Sequence, residues 1–185
     1  MTVNAELSDT HHLLITLPAE NKIARNYLSV KIDSPFIYMF ENITPNMLSG
    51  NLNSQKVEIT PLYYKGFIYW LPLSNSTMVV TTYDSGIHEN VLLKLNSQDS
   101  DKLISMVLPK QTEGTFSTQG LLNFDKTTNR LVFVYLYRNE FYILDSNLTP
   151  MLKSHTIDTN TIAKIHIGTF DSGKYSTFTS PPINH

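Results

Sequence analysis

Hydrophobic positions along this chain recur with the two-residue period of β-strands and not with the period of helices. Short runs rich in β-branched and aromatic residues alternate with clusters of Asn, Ser, Asp, Thr and Gly. The clearest runs are residues 27–32, 36–40, 56–60, 67–71, 78–83, 91–95, 103–108, 120–124, 131–137, 140–144, 151–157 and 162–167. Turn signals at intervals of about eight to twelve residues predict an all-β fold.

One stretch predicts a central hairpin. Residues 131–137 carry apolar or aromatic side chains on both faces, Arg138, Asn139 and Glu140 supply a tight polar turn, and residues 141–144 return. A shared pattern of an aromatic residue, Ile, Tyr and two large apolar residues occurs at 36–40 and again at 67–71. Repeated short strands of this kind fit small sheets that are stacked around an axis.

We therefore expect antiparallel four-stranded sheets that form the blades of a β-propeller, with a β-sandwich as the alternative. At about 40 residues for each blade, residues 1–185 make about four blades of a single domain. Only residues 19–25 and 90–101 are compatible with a short helical turn, and residues 49–51 predict a β-turn. The expected core residues are Phe36, Ile68, Trp70, Leu131, Phe133, Tyr135, Phe141 and Ile143.

Composition supports a folded chain rich in strands and turns. Hydrophobic residues make up 41% and charged residues 16%, which argues against disorder caused by excess charge. There are 20 Thr, 17 Ser and 16 Asn against four Ala, a balance that disfavours helices. A net charge of −2 supplies no basic field, so we expect no nucleic-acid partner.

Two further classes of feature are missing from the sequence. The chain contains no cysteine, which excludes disulfides and thiolate metal sites. Its first residues have neither a basic nor an apolar segment, and no later run is long enough to cross a bilayer. We therefore expect no membrane span and no signal peptide in this chain.

Several short motifs follow one another between residues 108 and 184. They are Tyr137-Arg138-Asn139 in a tyrosine-rich hairpin, Asn147-Leu148, the segment Thr156-Ile157-Asp158-Thr159, and Ser180-Pro181-Pro182 near the end. In these motifs the chain resembles uncharacterised β-propeller-like proteins of Bacteroidetes, whereas residues 1–107 fit only in their strand pattern. The resemblance implies a propeller fold without an assigned activity, in longer chains located in the periplasm or at the cell surface. Because those chains continue through further strands, we expect a short or partial propeller, incomplete at its C-terminal end.

Candidate catalytic and metal-binding residues carry little signal. The sequence has no metalloprotease, nucleophile-elbow or phosphate-loop motif. His11 and His12 are adjacent, so on a strand they point to opposite faces and cannot easily share an ion. The carboxylates of Asp125, Glu140, Asp145 and Asp158 are candidates for a glycosidase pair, but Asp in a turn commonly bonds its own backbone. We predict a protein that is not an enzyme and has no metal site and no cofactor.

The candidate binding residues are Tyr135, Tyr137, Arg138 and Asp158. An arginine at the end of a tyrosine-rich strand can stack on Tyr135 or Tyr137 and offer its planar fork to an acid or to sugar hydroxyls. The sequence nevertheless favours an ion pair between Arg138 and Glu140 that fixes the hairpin. For Asp158, the alternative is a strand corner in which the carboxylate accepts hydrogen bonds from the threonines beside it and from nearby amides.

These observations lead to three hypotheses of function. The first is a non-enzymatic binding or protein-interaction module, whose protein or glycan ligand the sequence does not identify. The second is a carbohydrate-binding or carbohydrate-active protein of the cell envelope, because exposed aromatic rings stack on sugars. The third is a structural domain of a larger surface protein.

The sequence also bears on oligomeric state. An unfinished blade leaves a sheet edge uncovered, which predicts a homodimer with contacts at residues 27–40 and 162–170. In the alternative, residues 13–17 close the sheet and the chain is a monomer.

Overall fold

The computed structural model describes residues 2–3, 10–19, 28–41, 46–61, 67–96, 104–111, 115–163, 166–169 and 176–179. This part of the chain contains three four-stranded antiparallel sheets, two two-stranded pairs and one turn of 3-10 helix at Thr115–Thr118. The predicted all-β class with four-stranded antiparallel sheets is confirmed. In each of the three large sheets the strands follow one another in chain order, which is the up-and-down order of a propeller blade.

The strand bounds place every large sheet in one continuous stretch of chain. Strands β1 (Thr2–Val3) and β2 (Thr10–His11) form a short pair. Sheet I contains β3 (Leu28–Asp33), β4 (Phe36–Glu41), β5 (Asn46–Asn51) and β6 (Lys56–Pro61). Sheet II contains β7 (Phe67–Pro72), β8 (Thr77–Asp84), β9 (Glu89–Asn96) and β10 (Ile104–Val107). Sheet III contains β11 (Gly120–Asp125), β12 (Arg130–Tyr135), β13 (Glu140–Asp145) and β14 (Pro150–His155). A last pair consists of β15 (His166–Thr169) and β16 (Ser176–Thr179).

The chain divides into two compact units. The first is built around sheet I, where buried side chains of β4, β5 and β6 form one apolar cluster. The cluster consists of Ile37, Met39, Leu48 and Val57. Ile15 and Leu17 pack against it from the N-terminal segment, which is held by a bridge between Thr16 and Lys56.

The second unit contains sheets II and III, apart from the strand-end residues Thr77 and Asn96. Side chains from both sheets form its core, because each sheet turns one apolar face toward the other. The buried members are Val79, Leu92, Leu108, Leu122, Leu131, Phe133, Tyr135, Tyr142, Leu144 and Leu148. The expected core positions at Trp70, Leu131, Phe133 and Tyr135 are confirmed, whereas those at Phe36, Phe141 and Ile143 are only half-buried.

The bulge in β7 corrects one core prediction. Phe67 pairs with Thr82 and Tyr69 pairs with Thr81, so Ile68 is an extra residue without a partner across the strand pair. A bulged residue no longer follows the alternation of faces. Ile68 is therefore 54% exposed, and its expected place in the core was wrong.

One predicted turn was also wrong. Residues 49–51 were expected to form a turn but end strand β5, and the turn follows at 52–55 with Gln55 at a φ of 56°. Gly50 belongs in this strand because a Cβ there would overlap the carbonyl of Lys56. The strand predicted at residues 91–95 is confirmed, since Glu89–Asn96 is β-strand, so residues 90–96 do not form the helical turn with which they were also compatible. Residues 20–25 and 97–101 lie outside the described part of the chain, so a helical turn there is untested.

The predicted hairpin of β12 and β13 is confirmed, but its polar turn differs from expectation. Leu131, Phe133 and Tyr135 are buried, and the residues between them are half-buried. Arg138 and Asn139 were expected in a tight polar turn, and although polar side chains are mostly exposed, these two are only 3% and 7% exposed. A buried arginine needs partners that offset its loss of hydration.

The turn between β13 and β14 is closed by an aspartate. Asp145 Oδ1 accepts hydrogen bonds from the backbone N–H groups of Thr149 and Asn147, both at 2.8 Å. These bonds favour the ionised carboxylate and hold the pKa of Asp145 below its ordinary value of 3.8. Within the turn, Leu148 adopts a left-handed φ of 63° and buries its side chain in the core. Burial of this side chain and the two bonds to Asp145 compensate for the unfavourable backbone conformation.

Replacing Phe133 with Ala should lower the free energy of unfolding by about 3 to 5 kcal/mol. Phe133 is fully buried in the core of the second unit, so the substitution leaves a cavity between sheets II and III. Urea unfolding of wild type and variant measures the difference. A loss under about 1 kcal/mol would contradict the described core, because exposed positions give values of that size.

Replacing Asp145 with Asn should produce a pH-dependent loss of stability. The folded-state pKa of Asp145 is lowered, so its charge stabilises the fold above the unfolded-state pKa, and this contribution disappears as the pH falls through the folded-state pKa. The difference in free energy of unfolding between wild type and D145N should be present near neutral pH and should shrink as the pH falls below the ordinary carboxyl pKa of 3.8. Urea unfolding across that range tests this, and a difference that is independent of pH would contradict the role of the charge.

Candidate functional site

Arg138 and Tyr135 form the centre of the candidate site. The guanidinium carbon of Arg138 lies 3.6 Å from the centroid of the Tyr135 ring, and both residues are 3% exposed. The Tyr135 ring also packs edge-on against Phe133 and Tyr142, at centroid distances of 5.0 and 6.2 Å. The predicted stacking of Arg138 on a tyrosine is confirmed, and Tyr135 is the residue on which it stacks.

Arg138 interacts with Pro109 and Glu140, and Glu140 connects it to a third segment. Its Nη2 donates to the carbonyl of Pro109 at 2.8 Å, and its Nε lies 2.9 Å from Glu140 Oε2 in an ion pair. The other carboxylate oxygen of Glu140 lies 3.0 Å from Lys153 Nζ on β14. The predicted ion pair of Arg138 with Glu140 is thus confirmed together with the stacking. Glu140 consequently joins the loop after β12 to the edge strand of sheet III.

Burial raises the pKa of the Tyr135 hydroxyl well above the ordinary value, and the nearby positive charge of Arg138 opposes the increase only in part. The hydroxyl is neutral at physiological pH even at the ordinary pKa, and burial keeps it neutral to a more alkaline pH. Within the described part of the chain, this hydroxyl and the Nε and Nη1 of Arg138 have no hydrogen-bond partner, so the contact of Nε with Glu140 is an ion pair only.

Asn139 connects this centre to the loop that carries Asp158. Its backbone N–H donates to the carbonyl of Asn160, and its carbonyl accepts from Thr156 N–H, both at 2.7 Å. Its side-chain Nδ2 donates to the carbonyl of Asp158 at 2.7 Å, and its Oδ1 lies 3.3 Å from Nδ1 of His155. One buried side chain and its own backbone thus fix the first half of loop 156–163.

Gln111 fixes the second half of loop 156–163. Its Nε2 donates to the carbonyl of Thr161, and its Oε1 accepts from Ala163 N–H, each at 3.0 Å. Ala163 itself is buried. Loop 156–163 exposes Ile157 completely, between two residues bonded to Asn139, and Ile162 by 57%, between two residues bonded to Gln111. The result is a loop with a fixed backbone and an exposed apolar surface.

The four sequence-predicted binding residues occupy different environments. Tyr135 and Arg138 are in direct contact and buried, whereas Asp158 is exposed and connected to them through Asn139. Its carboxylate accepts from Asn160 N–H at 3.0 Å, which matches the expected bond to a nearby amide, and no bond to a neighbouring threonine is described. Tyr137 is 38% exposed and makes no described contact with the other three. That these residues bind a ligand stays a prediction.

Sequence reasoning missed the supporting residues Asn139 and Gln111. The sequence pattern places Asn139 in a polar turn, and nothing in the pattern distinguishes Gln111. Their partners lie about 20 to 50 positions further along the chain, so no local pattern reveals them.

Comparisons with known proteins add no relative to this description. No protein-family model matches the chain, and no curated protein sequence matches it significantly. Among the described residues, no helix has the length and apolar character needed to cross a membrane.

Replacing Glu140 with Ala should lower the free energy of unfolding by about 3 kcal/mol, because it leaves the guanidinium of Arg138 buried without its carboxylate. The matched control is Lys153→Ala, which removes the other partner of Glu140. That lysine side chain is 48% exposed, so its loss should cost less than about 1 kcal/mol. Urea unfolding of both variants provides the comparison. Equal losses of the free energy of unfolding would show that the ion pair of Arg138 with Glu140 contributes no more to stability than the exposed pair of Lys153 with Glu140.

Proposed function

We propose that this protein is a non-enzymatic interaction module that binds a protein partner through loop 156–163. The observation that carries the proposal is the complete exposure of Ile157 on a loop whose backbone is held by Asn139 and Gln111. In a flexible loop an isoleucine can turn toward the protein and bury its side chain. Here the backbone is hydrogen-bonded on both sides of Ile157, which keeps the side chain exposed. Its exposure therefore supports a contact surface.

The fixed backbone also lowers the cost of binding. Ordering a free loop on association consumes part of the interaction energy, whereas a loop that is already held loses little conformational entropy. Protein interfaces typically combine a central apolar anchor with a polar rim. Here Ile157 supplies the anchor, and the exposed carboxylate of Asp158 supplies an adjacent polar group.

The chemistry of the loop defines the partner. Ile157 needs an apolar pocket, and the exposed carboxylate of Asp158 beside it favours a basic side chain at the rim of that pocket. We also propose that this chain is related to the propeller-like proteins of Bacteroidetes and is located in the periplasm or at the cell surface. The up-and-down order of the four-stranded sheets supports the relationship. It also supports a binding role, because the strand connections of such folds commonly present binding residues.

Replacing Ile157 with Asp should abolish partner binding while leaving the fold intact, because the side chain makes no buried contact. Removal of an interface anchor costs about 2 kcal/mol or more, which is at least a thirtyfold loss of affinity. Thr159→Asp is the matched control, since it adds the same charge at another exposed position of the loop.

The measurement uses wild type, I157D and T159D immobilised at equal density and exposed to soluble extract of the source cells. A partner retained by wild type and T159D but lost by I157D is the expected result, and higher salt should weaken its retention. If the same proteins are retained by I157D and wild type, loop 156–163 is not the binding surface. Circular dichroism verifies that all three chains are folded.

A carbohydrate-binding role is the second candidate, and the half-exposed ring of Tyr137 favours it. Wild type and Tyr137→Ala on a glycan array separate the two roles. Binding to a glycan that Tyr137→Ala loses would favour this alternative, and the absence of any bound glycan would remove it.

A further inference from the structure

Sheet III has a second apolar face, opposite the one that packs against sheet II. Neighbouring residues of a strand point to opposite sides of the sheet, so this outer face carries every second residue of each strand. Its apolar members are Leu121 of β11, Val132 and Val134 of β12, Phe141 and Ile143 of β13, and Leu152 of β14. All four strands therefore contribute to the outer face of sheet III.

The strand register brings these side chains together in two adjacent rows. Residues directly opposite each other in an antiparallel sheet share a face, and their side chains are in contact distance. The rows are Leu121, Val134 and Phe141, and then Val132, Ile143 and Leu152. One row begins at the edge strand β11 and the other ends at the edge strand β14. The apolar band consequently extends from one edge of the sheet to the other.

Exposure indicates that no described element packs closely over this band. Leu121 and Leu152 on the edge strands are 57% and 48% exposed, and the four side chains between them are half-buried. On the same strands, Leu131, Phe133 and Leu144 point toward sheet II and are fully buried. The two faces of the same strands thus differ in the way expected when only one of them is covered.

The size and composition of the outer face fit a second copy of this chain. Four strands of six residues, spaced about 4.8 Å apart, span roughly 20 by 20 Å. With both copies and the relief of their side chains counted, a face-to-face contact buries on the order of 1,000 Å², the lower limit for a specific interface. The band itself is entirely hydrocarbon, and homodimer interfaces are more apolar than interfaces between different proteins.

We infer that two copies of this chain associate through the outer face of sheet III, packed face to face about a two-fold axis. In such a contact one surface meets its own copy, so an apolar band on one side is matched by the same band on the other. Packing of two sheets in this way creates an apolar layer like that of a β-sandwich. The charged row of Asp125, Arg130 and Asp145 lies at one end of the same face and supplies a polar rim. Loop 156–163 takes no part in this contact.

Analytical ultracentrifugation of the full chain tests the association. The monomer has a mass of 21.1 kDa, and wild type should approach twice that mass with a dissociation constant in the micromolar range. Leu121→Lys places a charge in the apolar band at a half-exposed position, so the variant should fold and its dissociation constant should be about tenfold higher or more. Leu152→Lys at the opposite edge should have the same effect. The matched control Leu14→Lys, at a position 79% exposed in the first unit, should associate as wild type does.

Methyl NMR during dilution identifies the surface that is in contact. Resonances of Val132, Val134 and Ile143 should shift as dimers dissociate, whereas those of Val79 and Leu92 in the core of the second unit should stay constant. Wild type that remains a monomer at about 1 mM, far above a micromolar dissociation constant, would overturn the inference. A dimer that both lysine variants of sheet III leave intact would overturn it as well. I157D should dimerise as wild type does, so failure here and failure of the partner-binding proposal are distinguishable.

Discussion

A guanidinium group that is almost completely removed from water needs a counter-charge and hydrogen bonds, and Arg138 obtains an ion pair, one described hydrogen bond and an aromatic stacking partner from different segments. Tyr135 supplies the aromatic face, Glu140 the negative charge, and Pro109 a carbonyl from the segment after β10. Burying such a charge is favourable only when its partners are precisely placed. The loop between β12 and β13 therefore has a fixed position relative to sheet III and to the segment that contains Pro109.

The consequence reaches loop 156–163 through the next residue. Asn139 follows Arg138 in the same buried loop and makes hydrogen bonds with both its backbone and its side chain to residues 155–160. Together with Gln111, it determines the path of a loop that has little apolar contact of its own. The exposure of Ile157 thus depends on the buried polar network of Arg138 and Asn139, together with Gln111. A core interaction and a surface candidate for partner binding depend on the same few groups.

Much of the fold was predictable from the sequence because packing one face of a sheet imposes alternation on the residues. Leu131, Phe133 and Tyr135 show this directly, and β12 and β13 begin within one residue of their expected positions. The bulge at Ile68 was not predictable, since it is defined by the register with β8 and not by any feature of β7 itself. The turn predicted around Gly50 failed for a related reason. Glycine is typical of turns, but here it allows the close approach of β5 to Lys56 on β6.

The candidate site was predictable only in part. Tyr135, Arg138 and Glu140 lie close together in sequence, so their stacking and ion pairing follow from local spacing. Their burial does not, because the sequence of the loop is that of an ordinary polar turn. The partners that make burial favourable come from distant positions such as Pro109. The sequence pattern therefore identified the residues of the centre but not the environment that determines their role.

Amide hydrogen exchange of loop 156–163 tests the central claim that the buried polar network holds this loop in place. The N–H groups of Asn139, Thr156 and Ala163 each donate to a described partner and should be protected, whereas Ile157 should exchange rapidly. In Arg138→Met, the protection of Asn139 and Thr156 should fall together while that of the β4–β5 amides in the first unit is retained. Exchange of Thr156 and Ala163 in wild type at the rate of an unstructured chain would contradict the account.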